Sequence, residues 1–147
     1  MLGNEIILLD SDIIFDYKII ERLINSGYEN CLALKKHKLG EEEIKVKADT
    51  TGKVQEISKV VPPSLAAGES IGIEKFGEKS LYKLFDIIDK LIIEQKKVNI
   101  FYEVAFEQMI KEGDDIYAVD TTDLMCMEID TADDLSTADK LIKSIKN

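Results

Sequence analysis

The sequence has few cysteines, fewer basic than acidic residues and no apolar run long enough to cross a membrane. Its two cysteines, Cys31 and Cys126, lie in apolar stretches outside any C-x-x-C or Cys/His cluster. We therefore expect buried thiols rather than metal ligands or a disulfide. No segment approaches the roughly 20 apolar residues that span a bilayer, and the N-terminus lacks a signal-peptide pattern. These absences predict a cytoplasmic protein with no membrane partner.

Charge and length narrow the functional classes further. The 147 residues are 45% hydrophobic and 33% charged, which predicts a single globular domain over residues 1–147. A net charge of -10 disfavours nonspecific attraction to phosphate backbones, so we expect no nucleic acid partner. A nucleotide can still bind an acidic protein when a divalent cation accompanies it.

Hydrophobic periodicity predicts an α/β fold with a mixed, mainly parallel sheet flanked by helices. Predicted strands cover residues 5–9, 29–34, 43–48, 53–58, 70–76, 116–119 and 125–129. Predicted helices cover residues 16–24, 79–94, 101–110 and 132–145. The turn-forming residues 49–52 make the third and fourth strands a hairpin. Gly72 interrupts a strand and therefore requires a structural reason.

The first predicted strand, residues 5–9, has the continuous apolar pattern of a strand with neighbours on both sides. If no strand precedes it in the sheet, one of its edges is unprotected. Such an edge favours pairing with a second copy or with another chain.

Two acidic strand ends are candidates for metal binding. Asp10 and Asp12 follow the first strand, and Mg2+ prefers one or two carboxylates together with phosphate and water oxygens. Glu128 and Asp130 lie at the end of a later strand, where Asp130 or Thr131 is also suited to cap the final helix. A solvated acidic turn and a helix cap remain the simple alternatives.

Two motifs resemble the metal-binding motifs of nucleotidyltransferases that activate sugar phosphates and phosphocholine. LLDSDIIF is similar to the family's first motif, which implies that Asp12 binds Mg2+ and that Phe15 is the following apolar anchor. MEIDTADDL resembles the second, in which Asp130 takes the metal position.

Three further segments extend the resemblance in the family's order. GKVQEISKVV implies that Lys59 contacts the acceptor phosphate as the catalytic and substrate-binding lysine. GESIGIEKF and FYEVAFEQMIKEG resemble the phosphocholine and polyol-phosphate cytidylyltransferases, which places Gly72 and Glu103 at the acceptor pocket. An exposed lysine, a strand bulge and a solvated helix residue are the alternative interpretations of these three positions.

The resemblance implies a partial nucleotidyltransferase fold, Rossmann-like and of the GT-A type, that corresponds to the C-terminal portion of a catalytic domain. The family's cofactor is Mg2+, and its partners are a nucleoside triphosphate, here CTP, and a phosphorylated small molecule such as phosphocholine, a polyol phosphate or a sugar 1-phosphate. The family's glycine-rich, arginine-containing triphosphate loop has no counterpart in this sequence. We therefore expect little or no transfer by the chain alone.

Two alternatives stay open. One is a non-catalytic module that forms a homodimer, or pairs with a partner chain that supplies the absent segment, through its first strand. The other is a haloacid-dehalogenase-like phosphatase, whose D-x-D motif LLDSD resembles, with Asp10 as nucleophile and Asp12 as acid/base.

Overall fold

A computed structural model describes residues 5–145 and shows an α/β arrangement. Its strands are Ile6–Leu9 (β1), Ile13–Phe15 (β2), Cys31–Lys35 (β3), Lys45–Ala48 (β4), Val54–Ser58 (β5), Gly68–Phe76 (β6), Tyr117–Asp120 (β7) and Cys126–Glu128 (β8). Its α-helices are Lys18–Ile24 (α1), Glu78–Asp89 (α2), Glu103–Lys111 (α3) and Ala132–Ile145 (α4). Pro63–Leu65 form a 3₁₀ turn and Lys90–Glu94 a π-helical turn.

The main sheet is mixed, as predicted. Its order is β5-β4-β6-β3-β7, with β1 also paired to β6. Strands β1, β3 and β4 are each antiparallel to β6, and β7 is parallel to β3. Four strands therefore share one direction, while β6 and β5 run the other way. Most strands of the sheet therefore run in the same direction, as predicted. Most neighbouring pairs are nevertheless antiparallel, because β6 lies between strands of the majority direction.

The central strand β6 has an edge that two strands share. Strand β3 pairs along one edge of β6 from Glu69 to Lys75. On the other edge, β4 pairs with the start of β6 and β1 with its end. Between these two strands, Gly72 accepts a hydrogen bond from the Asp10 amide at 2.8 Å. After Asp10 the chain turns away from β6. The gap that this leaves between β1 and β4 opens the sheet.

Apolar side chains cover both faces of the main sheet. One core cluster contains Leu84 of α2 and Phe106 of α3, together with strand residues such as Leu32. The other contains Ile19 of α1 and strand residues such as Ile73. Strand β1 contributes to both clusters because successive side chains of a strand point to opposite faces. Its continuous apolar sequence follows from this position.

The structure differs from the sequence-based predictions in two places. The predicted helix 79–94 ends as an α-helix at Asp89 and continues as the π-helical turn. Residues Ile13–Phe15 form a strand that was not predicted, paired with β8. The thiols of Cys31 and Cys126 are free and buried, as expected. None of the helices within residues 5–145 combines the length and apolar character needed to cross a membrane.

Candidate active site

A large acidic cleft opens where β1 separates from β4. Its volume is about 980 Å³. Its lining residues include the lysines Lys35 and Lys59 and eight carboxylates, namely Asp10, Asp12, Glu42, Glu43, Glu69, Glu103, Glu128 and Asp130. The excess of carboxylates makes the cleft electrostatically suited to cations, or to anions accompanied by cations.

Four of the five site residues that the family resemblance implies line this cleft. Asp12, Lys59, Glu103 and Asp130 come from separate segments of the chain and meet there. Gly72 is not among the lining residues, although its neighbours Ser70 and Ile71 are. The functional role of each residue stays a prediction.

Pairing of β2 with β8 brings the two acidic motifs together. The two strands are antiparallel, and the Ile129 amide donates a hydrogen bond to the Asp12 carbonyl at 2.8 Å. We call Asp12, Glu128 and Asp130 the outer carboxylates. The unpredicted strand β2 is thus the element that joins the motif after β1 to the motif before α4.

Helix capping does not account for Asp130. The Thr131 hydroxyl accepts a hydrogen bond from the Asp134 amide at 3.1 Å, and the Asp134 carboxylate accepts one from the Thr131 amide at 2.9 Å. This reciprocal pair is a capping box. Thr131 therefore caps α4, and the exposed Asp130 carboxylate remains at the cleft.

The outer carboxylates influence one another electrostatically. The pKa of Glu128 is raised, first by partial burial and then by the charges of Asp130, Glu69, Asp12 and Asp10. Because like charges disfavour one another at close range, a cation bound between them would be stabilised. The hard oxygen atoms and exposure of Asp12 and Asp130 fit Mg2+, which completes its coordination with water and phosphate oxygens. Within residues 5–145, no group of three His, Cys, Asp or Glu side chains forms a ready metal site.

The absence of a side chain at Gly72 makes room for Asp10. Gly72 has φ +70°, and a Cβ at this position would overlap the Asp10 carboxylate and lie 2.8 Å from the Asp10 Cβ. Glycine thus meets two requirements, a left-handed backbone and a close approach. Gly72 shapes the cleft by positioning Asp10.

Asp10 belongs to a second, deeper acidic group. The Tyr102 hydroxyl donates a hydrogen bond to Asp10 Oδ1 at 2.6 Å. Burial, followed by the charges of neighbouring carboxylates, raises the pKa of Tyr102, so this hydroxyl stays protonated. We call Asp10, Glu74 and Glu103 the inner carboxylates.

Glu74 and Glu103 are buried with part of their hydrogen-bonding capacity unused. Glu74 is 0% exposed; its Oε1 accepts a hydrogen bond from Ser70 at 3.2 Å, and its Oε2 has no partner. Glu103 is 7% exposed, and its Oε2 also has no partner. Burial and then Asp10 and Glu103 raise the pKa of Glu74 well above its ordinary value. Burial is also the main cause of the raised pKa of Glu103.

Lys59 also lines the cleft and lies against an aromatic ring. Its Nζ atom is 4.4 Å from the centre of the Phe101 ring and 3.2 Å from Glu42 Oε2. The Glu42 side chain is 92% exposed, so this ion pair is weak and open to exchange. Lys59 is thus held near the cleft without being neutralised by a buried partner.

A buried lysine supports the loop that carries Glu42. The Lys45 side chain is buried, and its ammonium donates hydrogen bonds to the carbonyls of Gly40, Glu41 and Glu43 at 3.1 to 3.3 Å. These bonds fix the course of the loop beside Lys59.

Sequence reasoning missed Glu74 and the contribution of Asp10 to the inner carboxylates. The alternation in β6 offered no sign that a glutamate there is fully buried. Gly72 was the available signal, because a glycine within a strand indicates a close contact.

Comparison with solved structures identifies the fold. The chain aligns with the CTP:phosphocholine cytidylyltransferase of Streptococcus pneumoniae at a TM-score of 0.70 and 16% identity, covering 92% of this chain and 57% of that one. It aligns with the inositol-1-phosphate CTP transferase of T. maritima at 0.71 and 16%, covering 100% and 58%. It aligns with a CMP:2-keto-3-deoxy-manno-octonic acid synthetase complexed with CTP at 0.66 and 15%, covering 98% and 64%.

This chain has a partial nucleotidyltransferase fold. It spans 57 to 64% of the length of these three enzymes. No family model and no curated protein matches its sequence. That the match is to the C-terminal portion of the catalytic domain stays a prediction.

Substituting alanine for Gly72 tests the packing at the base of the cleft. We expect Gly72→Ala to lower the free energy of unfolding by more than about 2 kcal/mol, since a left-handed alanine alone costs about 1 to 2 kcal/mol and the new Cβ also overlaps Asp10. Urea denaturation measures the change. Gly27→Ala is the matched control, because Gly27 has φ +79° with open space around it. In an Asp10→Gly background the two substitutions should have similar effects; a persistent difference would contradict the proposed overlap.

Glu74→Gln tests the buried carboxylate through pH. A raised pKa means that the folded chain keeps its proton at pH values where the unfolded chain, near 4.5, has lost it. Stability therefore falls as pH rises from 4.5 towards the folded pKa, and glutamine removes this fall. We expect the melting temperature of Glu74→Gln to exceed that of the wild type by an amount that grows above pH 4.5. The exposed Glu21→Gln should show no such trend. A pH-independent difference would rule out a buried ionisable Glu74.

Proposed function

We propose that this chain forms the acceptor and metal half of a nucleotidyltransferase site that acts on a phosphorylated small molecule. The supporting observation is that Asp12, Lys59, Glu103 and Asp130 line one cleft although they are distant in sequence. Two solved structures of similar fold bear names of CTP-dependent transferases of phosphocholine and inositol 1-phosphate. We therefore favour CTP as the nucleotide and phosphocholine, a polyol phosphate or a sugar 1-phosphate as the acceptor.

The outer carboxylates are suited to hold Mg2+ together with a nucleotide. Asp12 and Asp130 would supply two of its oxygen ligands, and phosphate and water oxygens would supply the others. When bound, the ion would neutralise charge on the nucleotide phosphates.

Lys59 would position the acceptor phosphate. Its ammonium lies over Phe101, and its exposed partner Glu42 can be exchanged for a phosphate oxygen. Holding the acceptor phosphate at a fixed place beside the nucleotide lowers the entropic barrier to in-line attack. This role requires no proton transfer by Lys59, because a phosphate dianion is already a nucleophile.

We expect the 147-residue chain to bind an acceptor phosphate with little or no nucleotidyl transfer, because its sequence has no glycine-rich, arginine-containing loop for the triphosphate. A phosphatase mechanism with Asp10 as nucleophile is less well supported. One Asp10 oxygen accepts the Tyr102 hydrogen bond and the other packs against Gly72, which leaves the carboxylate poorly presented for attack.

Removing the charge of Lys59 tests the acceptor site. We expect Lys59→Met to weaken the binding of glycerol 3-phosphate, glucose 1-phosphate and phosphocholine by about tenfold or more, the effect of one charge-assisted hydrogen bond. Isothermal titration calorimetry on the full chain measures this.

Lys53→Met is the control, since Lys53 pairs with Asp115 and is not a cleft-lining residue. Equal affinities for Lys59→Met and the wild type would remove Lys59 from the site. Pyrophosphate release from CTP and phosphocholine that Asp130→Ala abolishes would support the function while contradicting the expected inactivity of the chain.

A second candidate function, self-association, is favoured by the position of β1. Within residues 5–145, β1 pairs with β6 alone, although both of its faces pack against core clusters. Its free edge carries no lysine, proline or bulge between Ile6 and Leu9. Edges of this kind pair readily with another strand.

The exposed Leu9 permits a test of this edge. We expect the wild-type chain to form dimers in sedimentation velocity experiments as its concentration rises, and Leu9→Lys to remain monomeric, because a charge on an edge strand opposes pairing. Leu65→Lys is the control at an exposed leucine outside β1. A wild-type chain that is monomeric at all concentrations would count against self-association.

A further inference from the structure

The inner carboxylates have acceptor atoms that no group of the described chain satisfies. Oε2 of Glu74 and Oε2 of Glu103 are buried and lack hydrogen-bond donors. An unsatisfied buried acceptor destabilises the fold, and more so when the group is charged. Glu103 is among the residues that line the cleft and Glu74 is not, so Glu103 is the one that a ligand could engage through a small movement of its side chain.

Neighbouring donors are already engaged elsewhere. The single proton of the Tyr102 hydroxyl is donated to Asp10, and the Ser70 hydroxyl is donated to Glu74 Oε1. The Lys59 ammonium lies over Phe101 and pairs with Glu42. Its charge lowers the pKa of Glu103, which places it near that carboxylate without a hydrogen bond to it. Among residues 5–145, the inner carboxylates form no ion pair with a basic side chain.

The chemistry of these oxygens selects among the acceptor classes. Carboxylate oxygens need N–H or O–H donors, and a quaternary ammonium has neither. A polyol or sugar hydroxyl donates a hydrogen bond but brings no charge to offset the acidic side chains of Glu103 and Asp10. A protonated primary amine brings three donors and one positive charge, and its hydrogen bonds to carboxylates are among the strong ones.

The amine position also lies close to the predicted phosphate position. Phe101, against which Lys59 packs, is separated from Glu103 by Tyr102 alone. A ligand whose phosphate meets Lys59 can therefore reach Glu103 with a short linker. We propose that Glu103, with the charge of Asp10 nearby, binds the protonated amine of the acceptor, and that this acceptor is a short aminoalkyl phosphate. The inference rests on the proposed function for the phosphate contact but not for the amine contact.

Calorimetry with three matched phosphates tests the inference on the full chain. The probes are 2-aminoethyl phosphate, phosphocholine and glycerol 3-phosphate, which differ in a primary amine, a quaternary ammonium and neutral hydroxyls. We expect 2-aminoethyl phosphate to bind at least tenfold more tightly than the other two. Glu103→Gln keeps the shape of the side chain, and it should reduce this preference to less than threefold.

Glu107→Gln is the matched control on the same helix, because Glu107 pairs with Lys111 and does not line the cleft. It should keep the full amine preference. Equal binding of the three probes would overturn the amine site and leave the phosphate site intact. Tighter binding of phosphocholine would also overturn it, and would indicate recognition of a quaternary ammonium by the aromatic side chains instead. Loss of all binding in Lys59→Met with an amine preference in the wild type would support both sites. Absence of binding by all three probes to the wild type would overturn both.

Discussion

The close contact between Gly72 and Asp10 is the constraint on which the cleft depends. Strand β1 leaves β6 at this point, and β4 joins the same edge a few residues away. A larger residue at position 72 would displace Asp10, and Asp10 is the acceptor that holds the Tyr102 hydroxyl. Since Glu103 follows Tyr102 and opens α3, displacement of Asp10 would also disturb the entry to that helix. The absence of a side chain at position 72 is therefore needed for the positions of Asp10, Tyr102 and Glu103.

The cleft concentrates negative charge that the folded chain does not neutralise by itself. Burial is the first cause of the raised pKa values of Glu74, Glu103 and Glu128, and neighbouring carboxylates raise them further. Such clusters lower the stability of the unliganded protein, and functional sites are where proteins retain them. The two acidic groups differ in exposure. Exposed Asp12 and Asp130 suit a hydrated metal ion, while the buried Glu103 suits a donor that has left water.

Most of the fold could be predicted from the sequence because its strands are short apolar runs bounded by polar residues. Four candidate residues also meet in one cleft. Strand β2 was missed because its three residues directly follow the D-S-D motif and form a strand only through pairing with β8. The burial of Glu74 was missed because it depends on β6 having strands on both edges and core on both faces, which is a property of topology. The local sequence predicts the strand, whereas the burial of a polar residue within it depends on the neighbouring strands and helices.

Among residues 5–145, the edge of β1 that has no partner strand leads at its carboxyl end to the acidic cleft. Asp10 and Asp12 follow the carboxyl end of β1. A strand added parallel to β1 would end beside these aspartates, and the loop after it would lie over the outer carboxylates, because ligands of open α/β sheets bind at the carboxyl ends of parallel strands. Glycine-rich loops that hold phosphates follow strands in this way. The edge that favours pairing is therefore also the edge from which the loop after a neighbouring strand would reach the cleft.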